Sequence, residues 1–185
     1  NIRFLVQTPG MGDPTLDQAS KKSKPIPEDD KQDNSGSGAV KWLVLLGAYT
    51  GARLGEITQL RKQDVMVDEE SGREYLRITP EAGSVKTSNA IRRIPLHKKI
   101  IEAGFMAYVE ACETEQLFDG LSSQSATAIF ARFRDAAGIE KLDDHNKRRV
   151  FHSFRHTVVT KARSRGVSDH LVQQVVGHQK TSAGI

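Results

Sequence analysis

Cysteine is nearly absent from this chain. Only Cys112 occurs, so no intrachain disulfide can form, and a reducing, cytosolic location is expected. Cys112 lies in a helical pattern without a flanking motif and reads as a small buried hydrophobe. Long apolar runs are missing too. The longest, Val40 to Tyr49, suits a buried helix and not a membrane span. Asn1 to Gly10 has no basic start followed by an apolar stretch, so no secretory leader is expected. Aromatic residues make up only 6% of the chain, and no internal repeat is visible. Nor is there a large excess of one charge. The 27 basic and 23 acidic residues leave a net charge of +4, too little to establish a polyanionic partner by itself.

The remaining composition fits one soluble domain of 185 residues with its own core. Residues 1–38 differ from the rest. They hold Pro9, Pro14, Pro25 and Pro27 and a polar, glycine-containing run from Asp29 to Gly38, and so read as a linker. A helix is predicted from Ala39, with Trp42, Leu43, Leu45, Leu46 and Tyr49 on several faces, which implies deep burial. A second helix is predicted through Leu54 to Leu60. Alternating apolar residues then give a hairpin, Val65 and Val67 against Tyr75, Leu76 and Ile78, with its turn at Glu69 to Gly72. A third strand spans Ile91 to Leu96, and Pro95 puts its end or an edge there. Helices are predicted over Lys98 to Glu113, after Ser122 or Ser123, over Ser153 to Arg165, and after Ser168. The expected fold class is α+β, mostly α, with a small three-stranded antiparallel sheet.

Charge is distributed unevenly. Lys147, Arg148, Arg149, Arg155, Lys161, Arg163 and Arg165 crowd one segment, as either a solvated face or a polyanion-binding one. Arg53 stands between two apolar helical segments and needs a partner. Glu56 is three residues on, either as a structural ion pair or as a group that orients Arg53 toward a phosphate. Lys86 sits at the turn before the third strand, where a lysine is usually just solvated, and Arg92 and Arg93 follow it. His152 and Arg155 lie one turn apart, and His156 follows. The His152–His156 spacing invites a zinc reading, but Ser153 stands where a metalloprotease has glutamate, and no third ligand is evident. No metal is expected. His178 follows Gly177 at the end of an apolar helix, where a histidine often caps. His97, His145 and His170 read as surface residues.

Four segments together resemble the catalytic domain of the tyrosine recombinases, the phage integrase family. They are Thr50 to Glu56, Lys86-Thr87 with Arg93 to Leu96, His152 to His156, and Leu171 to His178. Their order and spacing match the family over residues 39–185, and residues 1–38 then look like the linker from an absent core-binding domain. The resemblance implies that Arg53 and Arg155 bind the scissile phosphate and that Lys86 protonates the 5′-oxygen. It also implies that His152 bonds the phosphate and helps move the nucleophile's proton, and that His178 is a further phosphate donor. Glu56 and His156 would be supporting residues, and Thr87, Arg92 and Arg93 would touch DNA. No metal or cofactor is implied. The partner is double-stranded DNA, with a homotetramer assembling on it and a monomer possible in isolation, in a bacterial or phage-encoded cytoplasmic setting.

One departure stands out. The family's nucleophilic tyrosine follows the position of His178 within about ten residues, but this sequence ends at Ile185 and holds only Tyr49, Tyr75 and Tyr108. None matches, so a shortened polypeptide, inactive alone, is expected. The alternatives are a catalytically inactive DNA-binding module of the same fold and a related DNA-relaxing topoisomerase.

Overall fold

The computed structural model describes residues 37–79 and 91–177, all within the compact unit Asp33–Ile185. The expectations for the linker, Lys86, Thr87 and His178 fall outside the described residues, apart from the linker's last two.

Seven α-helices and one sheet make up the described residues. Helix α1 (Ser37–Thr50) is the centre of the core. Trp42, Leu43, Val44, Leu45 and Leu46 are all buried, so apolar side chains meet neighbours around the helix, as its sequence predicts. Each such side chain contributes roughly 1.5–3 kcal/mol. Trp42 packs against Phe105 and Tyr108 on one flank, with ring centroids 5.2 Å away in both cases. On the other side Phe130, Phe151 and Phe154 form an edge-to-face triplet. Among the described residues, no helix is long and apolar enough to cross a membrane.

After α1 come α2 (Leu54–Thr58) and a single 3-10 turn (Lys62–Asp64). Strands β1 (Val65–Val67), β2 (Glu74–Ile78) and β3 (Arg92–Pro95) pair antiparallel in that order. The register places Leu76 opposite Val65 and Ile94, and Ile78 opposite Arg92. β3 is an edge of this sheet, which accommodates Pro95. The fully buried Asp64 anchors the sheet's start through Arg61, whose Nε and Nη2 donate at 2.9 and 3.1 Å.

The helix predicted over Lys98 to Glu113 is two helices, α3 (Lys98–Glu102) and α4 (Phe105–Ala111). The break falls at Gly104, which adopts φ +90°. This kink lets Phe105 turn fully inward against Trp42. Three helices complete the fold. Ser122 caps α5 (Ser123–Ala136), accepting from the Ser125 amide. Next is α6 (Ser153–Ser164). Ser168 then caps α7 (Asp169–Val176), accepting from Leu171. Cys112 is buried, and burial pushes its thiol pKa up, in keeping with an inert packing role.

Helix α6 crosses α1 at Gly47. A Cβ there would lie 2.5 Å from Phe151 Cζ and 2.9 Å from Phe154 Cδ2. Gly47→Ala should therefore lower stability by about 1–3 kcal/mol despite the better helix propensity of alanine. At Gly55 the only near atom is Ser123 Oγ at 3.1 Å, a hydroxyl that can rotate away, so Gly55→Ala should be close to neutral. Urea unfolding of both variants checks this, and equal effects would contradict the packing account.

Candidate phosphate-binding site

The site begins where α1 ends. Thr50 Oγ1 donates to the Leu46 carbonyl and accepts from the Ala52 amide at 3.1 Å, so it folds the chain back at the helix terminus. Gly51 takes φ +64°, a conformation in which a side chain would be strained. A Cβ at Gly51 would also meet Val158 at 3.3 Å. The turn brings Arg53 to the start of α2. It also leaves the Gly51 carbonyl facing α6, where it accepts from Arg155 Nη1 at 3.0 Å.

Glu56 lies one turn into α2 and gathers the charged groups. Its Oε2 accepts from the Arg53 backbone amide, and its Oε1 accepts from Arg53 Nη1, both at 2.8 Å. Arg92 meets the same carboxylate in bidentate fashion, at 3.0 Å to Oε1 and 2.8 Å to Oε2. Burial raises the pKa of Glu56, but the hydrogen bonds and charges of Arg92 and Arg53 outweigh it and hold the carboxyl below its ordinary value of 4.5.

Both arginines also reach the C-terminal turn of α7. Arg92 Nε donates to the Val175 carbonyl at 2.8 Å, and Arg53 Nη2 donates to the Gly177 carbonyl at 3.2 Å. These are carbonyls the helix cannot satisfy itself, at the end where its dipole favours cations. Gly177 is required there twice over. Its φ is +67°, and a Cβ would lie 2.8 Å from Arg92 Nη1.

Helix α6 delivers the rest. His152 sits at its N-terminus, exposed, and Arg155 is buried at 2% exposure. Burial first, then repulsion from Arg53 and Arg92, pulls the Arg155 pKa down to about 10, against the opposing pull of Glu56. Although its position is exposed, partial desolvation of the His152 ring, then the charges of His156, Arg155 and Arg53, shift it below its ordinary 6.5. Its ring meets that of His156 edge-on, with centroids 4.9 Å apart. Among the described residues, no group of three or more metal-ligating side chains surrounds this pair or any other place. Ser153, at the glutamate position of the zinc pattern, serves the local backbone, where its Oγ accepts from the Val150 amide at 3.1 Å. The buried Arg134 on α5 supports the approach to α6 by donating to the Arg149 carbonyl.

Of the residues singled out in the sequence, Arg53, Glu56, His152, Arg155 and His156 come together. Arg92 has a different place from the DNA-facing one expected. Strand alternation explains it: in β3, Arg92 and Ile94 face inward while Arg93 and Pro95 face outward. Arg93 is exposed, with its guanidinium 5.1 Å from the centre of the Tyr75 ring. The two carbonyls at Gly51 and Gly177 are contributors that side-chain motifs could not reveal. The three tyrosines are engaged elsewhere. Tyr49 stacks on His97, Tyr75 is buried in β2, and the Tyr108 hydroxyl donates to the Leu117 carbonyl with its pKa raised by burial.

Among the described residues, Arg53 and Arg92 share the Glu56 carboxylate, and Arg155 lies near enough to feel their charge. Fixed guanidinium groups gathered in this way suit an oxyanion such as phosphate.

Comparison with known proteins identifies the family and the fold. The model of the phage integrase family matches residues 26–183. The fold is similar to the crystal structure of XerA recombinase, at 20% identity and a TM-score of 0.55 over 78% of this chain and 55% of that one. It is similar to XerH site-specific recombinase bound to difH substrate, at 20% identity and a TM-score of 0.58 over 77% of this chain and 40% of that one. The lambda integrase catalytic core is also 20% identical, with a TM-score of 0.52 over 76% of this chain and 83% of that one. The chain therefore spans about half the length of XerA and less than half of XerH. No curated protein matches it.

Replacing Glu56 by Gln should remove the charge that Arg92 and Arg53 share and cost about 3–5 kcal/mol at neutral pH. The lowered pKa of Glu56 fixes the sign of the pH effect. Its carboxylate contributes fully above about 4.5, and that contribution is lost as pH falls through the folded-state value. Glu56→Gln should accordingly lose less stability on acidification than the parent. Urea unfolding across the acid limb measures this, and an equal acid sensitivity would contradict it.

Proposed function

This chain belongs to the phage integrase family, and we propose that it is the phosphate-binding catalytic domain of a site-specific recombinase that breaks and rejoins duplex DNA. The observation that carries this reading is the convergence of Arg53, Arg155 and His152 beside the Glu56 carboxylate.

In the proposed reaction a tyrosine hydroxyl attacks the scissile phosphorus. The bond from phosphorus to the 5′-oxygen breaks, leaving a 3′-phosphotyrosyl link and a free 5′-hydroxyl. Charge grows on the non-bridging oxygens in the five-coordinate transition state. Arg53 and Arg155 are assigned to those oxygens, where fixed guanidinium groups need no reorganisation as the charge develops. Arg155 is well prepared for this role. It is buried and its rotamer is fixed on the Gly51 carbonyl. Arg53 and Arg92 nearby repel its charge, and a bound phosphate would offset that repulsion.

His152 is assigned to the proton of the attacking hydroxyl. Its lowered pKa keeps the imidazole neutral near pH 7, so it can accept. Lys86 is assigned to protonate the departing 5′-oxygen and His178 to donate to the phosphate. The rejoining hydroxyl reverses the same steps, and the phosphotyrosyl bond conserves the energy, so no nucleotide cofactor enters. No tyrosine of this sequence is assigned as nucleophile. The proposed assembly is a homotetramer on two duplexes. In support, the solved structures similar to this chain include a lambda integrase tetramer bound to a Holliday junction and a lambda integrase dimer bound to a COC′ core site.

Arg155→Ala in the complete polypeptide should abolish covalent adducts with nicked duplex DNA, seen on denaturing gels, while salt-sensitive DNA binding largely persists. Normal adduct formation would overturn the assignment, and binding without any adduct in the parent would favour a DNA-binding module. The pH profile gives a second check. The acid limb of kcat/KM, which reports the free enzyme, should fall below the ordinary histidine value of 6.5 and vanish in His152→Gln. An acid limb above that value would argue against His152 as the proton acceptor.

A further inference from the structure

We infer that Arg92 is a positioning residue for this reaction: it latches the last turn of α7 to β3 and Glu56, and so fixes the Gly177 turn that Arg53 also holds. The inference rests on the recombinase reading above.

Arg92 touches three things at once. Its Nη1 and Nη2 take both oxygens of Glu56. Its Nε takes the Val175 carbonyl, and its guanidinium lies flat against Gly177 with no room for a side chain between them. The side chain is only 6% exposed, so DNA cannot reach it and any effect must pass through its neighbours. Arg53 contrasts with it. That side chain is 44% exposed and shares the same carboxylate and the same helix end, which leaves it a face for a ligand.

The latch matters because α7 is only eight residues long. Helices of that length have little stability of their own and depend on what they pack against. Beyond the neighbouring turn, the chain continues directly into His178. Arg92 also opens β3, just past the segment 80–90 that carries Lys86. One buried guanidinium therefore ties together the two chain segments that flank the two remaining proposed site residues. Lysine cannot reproduce the arrangement, because a single ammonium cannot span two carboxylate oxygens and a carbonyl in one plane.

Two measurements test this. In the first, amide hydrogen exchange is followed in this chain and in Arg92→Lys and Arg92→Gln. The Gly177 amide, bonded to the Gln173 carbonyl in the parent, should exchange several-fold faster in both variants, while amides of α1 keep their parent rates. Unchanged exchange at Gly177 overturns the latch. Exchange that quickens equally in α1 overturns it too, since Arg92 would then serve general stability.

In the second, single-turnover cleavage of nicked duplex and DNA affinity are measured in the complete polypeptide. Misplacing a group by about 1 Å costs about 100-fold in rate. Arg92→Gln should show a loss of that order in cleavage with DNA affinity nearly unchanged, and Arg92→Lys should recover only part of it. Parent-like cleavage in Arg92→Gln, or a loss confined to affinity, overturns the positioning role. If the parent polypeptide itself never cleaves, the recombinase reading fails, and the latch stands or falls on the exchange result alone.

Discussion

The Glu56 carboxylate is the constraint on which the described site depends. It is 9% exposed and accepts from Arg53 twice and from Arg92 twice. Without it, Arg53 and Arg92 would meet in a partly buried place without the carboxylate that fixes both. With it, Arg92 is anchored inward, Arg53 is left half-exposed, and both meet the end of α7. The carboxylate orders Arg53 and Arg92, and the proposed phosphate would meet the face that Arg53 leaves exposed.

Backbone shape makes the arrangement possible. Gly47 lets α6 approach α1 closely enough for the Phe151 and Phe154 rings to seat, which places His152 and Arg155 beside the end of α1. Gly51 then turns the chain so that its carbonyl fixes Arg155 and its continuation supplies Arg53. Gly177 allows the Arg92 guanidinium to lie against the end of α7. Gly47 and Gly177 sit where two elements come closer than a side chain permits, and Gly51 where a positive φ is needed, so backbone shape sets the geometry of the charges.

Much of this was legible in the sequence. The apolar residues around α1, the alternation in β2, and the serines before α5 and α7 each reveal their structural role through periodicity or capping chemistry. The pairing of Arg53 with Glu56 follows from their spacing on a helix. Other features were hidden for physical reasons. The break at Gly104 was masked because the flanking apolar residues keep a helical period on both sides. Arg92 and Arg93 look equivalent in sequence. Only the alternation of a strand tells them apart, and that same rule, applied to Ile94 as a core residue, would have placed Arg92 inside. Carbonyl partners such as those of Gly51 and Gly177 carry no side-chain signature and need the fold to be seen.

The central claim is that Arg53, Arg155 and His152 form one phosphate site organised by Glu56. A structure of this chain bound to nicked duplex DNA tests it most directly. The account predicts a backbone phosphate within hydrogen-bonding distance of the Arg53 and Arg155 guanidinium groups and of His152, with Glu56 still bridging Arg53 and Arg92. A duplex that crosses elsewhere on the surface, or a phosphate bound only after Glu56 has released Arg92, would contradict it.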